Sequence, residues 1–527
     1  MRRLATAITA ALIASTSQLA GASAAEFRWA TQTDPQTMDP HAVNAAPVLS
    51  FLNNVYEGLV RRGPDMSIEP SLATAWEPIE GDEPGWRFTL REGVTFHGGE
   101  AFDASDVVFS YERASSEEAD TASWFAPVTR VEAPDDFTVE FYTEAPNPLF
   151  PSSIANWMMM DEGWTTELGA ERPNREGESA TTLRANGTGP YRVTEREPAV
   201  RTVLEPFDGW WDTNESNVTT ATLTPIENAA TRLAALLSGE VDLIEPVPIQ
   251  DAERLKTTEG VQLIDGVEAR VIMLGMDQTS DALYSGDASV DGNPLANRNV
   301  REAIYRAIDV DALIQVVMRG SAQEVAQLTS QGLSGYSESL APRYEADIEA
   351  ARALLAEAGY PDGFTMSLAC PNDRYINDEA ICQAIVGMLA RAGITAELNA
   401  MPVRNYWPEL RADNYDAYLL GWSPGTFDAE HPIRFLVATP NEEKKLGSWN
   451  YGGFSNARVD ELLPMIQSEI DEAKRQSMID EVATIVRDEA AYVPLYVQPL
   501  LWGAREGVEV VQRPDNFIIL RWVRVPE

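Results

Sequence analysis

The stretch from Glu345 to Pro402 constrains this chain most. EADIEAARALLAEAGYPDG has helical spacing and ends at Gly359, and FTMSLAC follows as a strand. NDEAICQAIVGMLARAG predicts a second helix and TAELNAMP a second strand. Helix, strand, helix, strand in close succession is the order of an α/β lobe.

The rest of the chain alternates strands and helices less regularly. WRFTLREGVTF alternates Trp86, Phe88 and Leu90, which predicts a half-buried strand. Asp103 is placed to N-cap the helix SDVVFSYERA. TGPYRVTEREPAVRTVLEPF predicts a hairpin, AATRLAALLSG an amphipathic helix closed by Gly239, and VDLIEPVP a strand. LSFLNNVYEGLV predicts a helix that stops at Gly58, and NRNVREAIYRAIDVDALIQVVMRG a long one. VEARVIMLGMD predicts a buried strand, DEAKRQSMIDEVATIVRDEA a long helix, and AYVPLYVQPLLWGAR an apolar, strand-rich return. With 527 residues the chain exceeds one typical domain, and 44% hydrophobic residues allow sizeable cores. The pattern predicts two lobes, the chain crossing between them near 265 and returning near 490.

MRRLATAITAALIASTSQLAGASA has a basic start, an apolar run from Leu4 to Ala14, and the small-residue pattern Ala22-Ser23-Ala24. It predicts a secretory leader cleaved after Ala24 or Ala25, with an apolar run too short to span a bilayer. No later stretch approaches 18 apolar residues, so an exported protein without a membrane anchor is expected. The formal charge of −42 disfavours nucleic acid and anionic membranes as partners. Self-repulsion on that scale also predicts a protein that salt stabilises. Cys370 and Cys382 are either a disulfide, which export permits, or two buried thiols. With His41, His97 and His431 they are too few and too scattered for a zinc site, and no cofactor is expected.

GWSPG at 421–425 matches the G-x-S-x-G nucleophile elbow, with Asp428 and His431 close behind. That elbow needs the backbone N–H after the serine, and here the next residue is Pro424, which has none. GTFDAEHP starts no helix, so a secreted serine hydrolase using Ser423 is the disfavoured alternative. Asp34 with Asp39 could mimic a glycosidase pair, but among 82 acidic residues a solvated surface explains most near pairs.

LATAWEPIEGDEPGWRFTLREGVTFHGGEAFDASDVVFSYERA resembles the signature region of the extracytoplasmic solute-binding proteins of family 5. YEGLV, GTGPY, SGEVDL, NRNVREAIYRAID, AARALLAEAGYPDGF, YDAYLLGW and YVPLY follow in the family's order across the mature chain. The resemblance implies an α/β, two-lobe periplasmic binding protein fold of type II, with an extra subdomain in lobe one and a two-stranded hinge. It implies a leader at 1–25, lobe one at 26–265, lobe two at 266–489 and a return to lobe one at 490–527. The function implied is capture of a peptide or peptide-like solute by hinge closure and delivery to ABC permease and ATPase subunits, by a monomer and without catalysis. A nickel or metal-chelate carrier is the other alternative, with no metal ligands assigned.

The same resemblance supplies candidate ligand contacts. Gly421 would admit the ligand to the backbone, Trp422 would form an apolar wall, and Ser423 would hydrogen-bond. Arg374, with Tyr375 beside it, would grip a ligand carboxylate. Thr33 and Asp34 would line the lobe-one side. Peptide-binding members carry an Asp two residues beyond GW-x for the ligand ammonium. Here that position is Gly425 and the nearest carboxylate is Asp428, so the amine anchor is displaced, and Asp34 is a candidate substitute. The GWSPGTFDAEHPIRFLVATPNEEKK form is more like the glutathione-binding branch.

Overall fold

The computed structural model describes residues 25–526 apart from 80, 82, 175–178 and 288; residues 1–24 of the expected leader lie outside them. Most strands join one large mixed sheet. Its strands are β1 (Glu26–Thr31), β2 (Tyr191–Glu197), β3 (Arg201–Pro206), β4 (Thr220–Pro225) and β5 (Leu243–Glu245). They continue with β6 (Val261–Met276), β7 (Phe364–Pro371), β8 (Ile394–Met401), β9 (Ala417–Trp422) and β10 (Val493–Arg505). The spatial order is β8-β7-β9-β6-β10-β5-β1-β4-β3-β2, with Gln323–Glu324 pairing on β10.

The expected helix–strand–helix–strand run is present. Helix α4 (Ile348–Glu357) precedes β7, and α5 (Asp378–Ala392) carries the chain from β7 to β8. β7 and β8 pair in parallel from Phe364↔Ile394 to Pro371↔Met401, as a crossover helix requires. Gly393 ends α5 at φ +102, and a Cβ on Gly363 at the start of β7 would collide with the Gly393 carbonyl. Two glycines are therefore what let helix end and strand start meet. A disulfide joins Cys370 of β7 to Cys382 of α5.

β6 and β10 are the long strands, and β6 changes neighbours along its length. Val261–Val267 pair with Pro499–Arg505, whereas Val271–Leu274 pair with Val493–Val497 and Val271–Met276 also pair with β9. The register shifts between Val267 and Val271. β10 is buried along almost all of its length, which is why it reads as an unbroken apolar run.

Between β1 and β2 the chain builds a separate four-stranded sheet from Ala73–Ile79, Gly85–Leu90, Thr138–Thr143 and Val128–Asp135. Helix α1 (Ala104–Ala114) packs against it, capped as expected by Asp103, whose Oδ1 accepts the Ser105 N–H at 2.8 Å. Helix α2 (Ala229–Ser238) ends at Gly239 with φ +76. A separate two-stranded sheet, Val60–Arg62 with Ile68–Pro70, reaches the loop after β9 through Arg62, whose Nη2 donates to the Thr426 carbonyl at 3.1 Å.

Two expected helices are shorter than their spacing suggests. The helix at LSFLNNVYEGLV covers only Ala46–Leu52. Beyond it Asn54 turns inward, donating to the carbonyls of Phe51 and Ile518 and accepting from the Leu520 N–H. The backbone of Asn54 and Val55 bonds to Tyr191 and Gly189. These long-range bonds replace the next helical turn. The second helix, α3 (Arg298–Ala307), stops where Ile308 is extended, and Asp309 caps a new short turn through the Ala312 N–H at 2.9 Å.

Candidate functional site

The irregularity in β6 marks a candidate site. Glu268, Ala269 and Arg270 fall inside the register shift, the kind of bulge that re-aims side chains. Glu268 accepts from Arg270 Nη2 at 3.0 Å and from Gln498 Nε2 of β10 at 2.7 Å. Gln498 Oε1 accepts the Ile376 N–H at 3.3 Å. That bond ties the bulge to the loop between β7 and α5, which carries Arg374 and Tyr375.

Asp378, the first residue of α5, shapes this loop by accepting the N–H groups of Arg374 and Tyr375 at 2.9 and 3.0 Å. Asp373 is engaged elsewhere, accepting the Val403 N–H. Arg374 is exposed, with its guanidinium 5.5 Å from the Tyr375 ring, and no carboxylate among the described residues pairs with it. Tyr375 is buried over Gly421: a Cβ there would lie 2.6 Å from Tyr375 Cε1. The expected role of Gly421 is thus corrected, because the space it frees is filled by the Tyr375 ring. Trp422 is half-buried among His431, Phe435 and Trp449 at ring distances of 5.4, 5.8 and 5.6 Å. Ser423 follows, half-buried, at the end of β9.

The residues of the apparent triad are employed separately. His431 Nδ1 accepts from Trp422 Nε1 at 3.2 Å, which places the imidazole proton on Nε2. Burial, helped by Arg434, pushes His431 down to about 4. Asp428 is buried and gripped by Arg475 Nη1 and Nη2 at 2.8 and 2.7 Å. It is therefore not the expected ligand contact, since its acceptor capacity is spent inside the lobe. Pro424 accepts from the Phe427 N–H, so a turn and not a helix follows the serine.

A cavity of about 340 Å³ lies between β1, the end of β5 and the C-terminal segment. The end of β1, with Gln32 and Thr33, forms one wall, the helix Ala46–Leu52 another, and Glu245 and Asn516 the floor. Thr33 is exposed here. Asp34 is turned away: Arg196 holds it with Nη1–Oδ1 and Nη2–Oδ2 both at 2.8 Å, so its expected role as a free amine partner is corrected. Releasing it would strand a nearly buried guanidinium.

Glu245 went unremarked in the sequence, where it is one acidic residue in VDLIEPVP. Trp502 Nε1 donates to Asn516 Oδ1 at 2.8 Å, which orients Asn516 Nδ2 onto Glu245 Oε1 at 2.7 Å. Burial pushes the Glu245 carboxyl up from its ordinary value; Asn516 and Arg232 oppose the shift and Glu268 adds to it. A carboxylate ending a strand just before proline was the available signal.

Among the described residues no group of three or more His, Cys, Asp or Glu is arranged to hold a metal. His41 and His97 bond to backbone carbonyls through Nε2, at 2.9 Å in both cases. Among them too, no helix is long and apolar enough to cross a membrane.

Comparisons with known proteins agree on the architecture. The glutathione-binding proteins GsiB of Pectobacterium atrosepticum and Salmonella paratyphi A are 26% and 25% identical, over 88% of this chain and 87% of theirs. The structure of HbpA2 from Haemophilus parasuis superposes with a TM-score of 0.83 at 22% identity, covering 95% of this chain and all of the other. The dipeptide-binding protein of Pseudoalteromonas sp. SM9913, solved with Met-Leu, gives 0.72 at 19% identity over 95% and 100%. The fold is accordingly the two-lobe one of periplasmic binding proteins. The model of the bacterial extracellular solute-binding proteins, family 5, matches residues 67–443, and the chain belongs to that family.

Proposed function

We propose that the chain is the periplasmic binding component of an ABC importer, taking a peptide or peptide-like solute and passing it, as a monomer and without covalent chemistry, to permease and ATPase subunits. The relatives named for glutathione and the neighbour solved with a dipeptide support this cargo. In this reading residues 1–25 are a leader removed near Ala24 or Ala25. Lobe one is 26–265 with 490–527, and lobe two is 266–489. β6 and β10 are the hinge, and closing two lobes over a solute buries most of its surface. Arg374 takes the solute carboxylate, Trp422 walls it, and Ser423 and Thr33 hydrogen-bond it from either lobe.

The observation that carries this reading is Arg374. In a chain with 82 acidic and 40 basic residues, an arginine beside the strand crossing has no carboxylate partner among the described residues. A guanidinium presented in that way suits a planar anion held bidentately. Calorimetric titration with glutathione and with Met-Leu tests it. Arg374→Ala is expected to weaken binding about tenfold to a hundredfold, the worth of a charge-assisted hydrogen bond. Unchanged affinity in the variant would remove Arg374 from the site. Failure of the wild-type protein to bind either compound, with fluorophosphonate labelling at Ser423, would overturn the transport reading.

A further inference from the structure

The displaced amine anchor has a structural replacement. We infer that Glu245 receives the cationic group of the solute, so that the cargo is a zwitterion held by its ammonium in lobe one and its carboxylate at Arg374. This deepens the peptide-binding reading and rests on it.

Among the described residues near the strand crossing, Glu245 is a carboxylate left with acceptor capacity facing a cavity. Asp34 is committed to Arg196, Asp428 to Arg475, and Glu268 to Arg270 and Gln498. Glu245 receives one hydrogen bond, from the neutral Asn516, and that bond uses Oε1. No hydrogen bond within the described residues engages Oε2. An ionised carboxylate has about four acceptor positions, so several are open. Arg232 does not neutralise it by contact. Its guanidinium donates to the carbonyls of Ile226, Glu227 and Pro246.

The carboxylate is also held in place. Glu245 ends β5, paired in parallel with Thr31 at the cavity wall, and the Trp502–Asn516 relay fixes its rotamer. Glu245 is half-buried and preorganised, with acceptor positions left open, and a cationic ligand would offset the cost of taking it further out of water. A cavity of about 340 Å³ matches the smaller end of ligand pockets. The Glu268–Gln498–Ile376 chain of bonds ties the bulge of β6 to the Arg374 loop, and Glu268 lies close enough to Glu245 to help raise its carboxyl.

The test pairs protein and ligand changes. Wild type and Glu245→Gln are titrated calorimetrically with Met-Leu, glutathione and the N-acetylated form of each. Wild type is expected to bind the free amines roughly tenfold or more tighter than the acetylated forms, since truncating one partner of a hydrogen-bonded charge pair is costly. In Glu245→Gln that preference is expected to vanish, with acetylated ligands bound as before. Should Glu245→Gln lose its native circular dichroism, Glu245→Asp keeps the charge on a shorter arm. It is expected to weaken only the free amines. Equal binding of free and acetylated ligands by wild type, or a preference that survives in Glu245→Gln, overturns the anchor and leaves the peptide reading standing. Absence of any binding to wild type overturns both.

Discussion

Asp428 illustrates how a single carboxylate beside the candidate site can serve the protein's own packing. Its two oxygens meet both terminal nitrogens of Arg475, and Oδ1 also accepts the Glu430 N–H at 2.8 Å. Asp428→Asn would leave a largely buried guanidinium short of its counter-charge, which typically costs about 3–5 kcal/mol. The expected outcome is a lower urea midpoint with glutathione affinity unchanged in the folded protein. A loss of affinity at full stability would instead place Asp428 in the site. The placement of Arg374 and Trp422 was legible in the residues, since both sit in local patterns, a strand end followed by a turn. The two carboxylate corrections share one cause. Arg475 lies 47 residues from Asp428 and Arg196 lies 162 from Asp34, and no local pattern reveals which distant cation will absorb a carboxylate. Glu245 stayed hidden for the same reason, since its partner Asn516 is 271 residues away.

At the scale of elements, capping signals were dependable and helix lengths were not. Asp103 before α1 and Gly239 after α2 act through their own neighbours, so sequence suffices to find them. The helix at Ala46–Leu52 ends because Asn54 is recruited by the C-terminal segment, a tertiary event that spacing cannot foretell. The first turn of α1 also contains a titrating group. Asp106 is buried, and burial pushes its carboxyl up to about 7, although Oδ1 and Oδ2 accept the N–H groups of Glu162 and Asp103. A carboxyl whose value is raised on folding binds its proton more tightly in the native state. Its contribution to stability is therefore full at low pH and declines as pH rises from about 4 through about 7. Asp106→Asn, which cannot ionise, is expected to flatten that decline by roughly 2–4 kcal/mol between pH 5 and 8, read as urea midpoints. The same slope in variant and wild type would show that Asp106 titrates normally.

Across the whole molecule, charge and architecture pull in different directions. The chain is held together by contacts that salt barely touches: buried apolar strands of the large sheet such as β10, and enclosed pairs such as Asp39 with Arg113, whose side chains are 1% and 0% exposed. Against this stands a formal charge of −42, and since 82 carboxylates face 40 cations, at least 82 − 40 = 42 must lack a partner even if every cation pairs once. Repulsion among exposed carboxylates acts over the Debye length, about 30 Å at 0.01 M salt and about 8 Å at 0.15 M. Raising salt thus removes an unfavourable term while leaving the enclosed pairs nearly intact, because those are screened much less. The thermal midpoint is expected to climb steadily between 0.01 and 0.5 M sodium chloride, and equally with choline chloride, since screening depends on ionic strength and not on the cation. A flat or falling midpoint would mean that local pairing already cancels the surface repulsion. A rise with sodium alone would point instead to site-bound cations among the carboxylates.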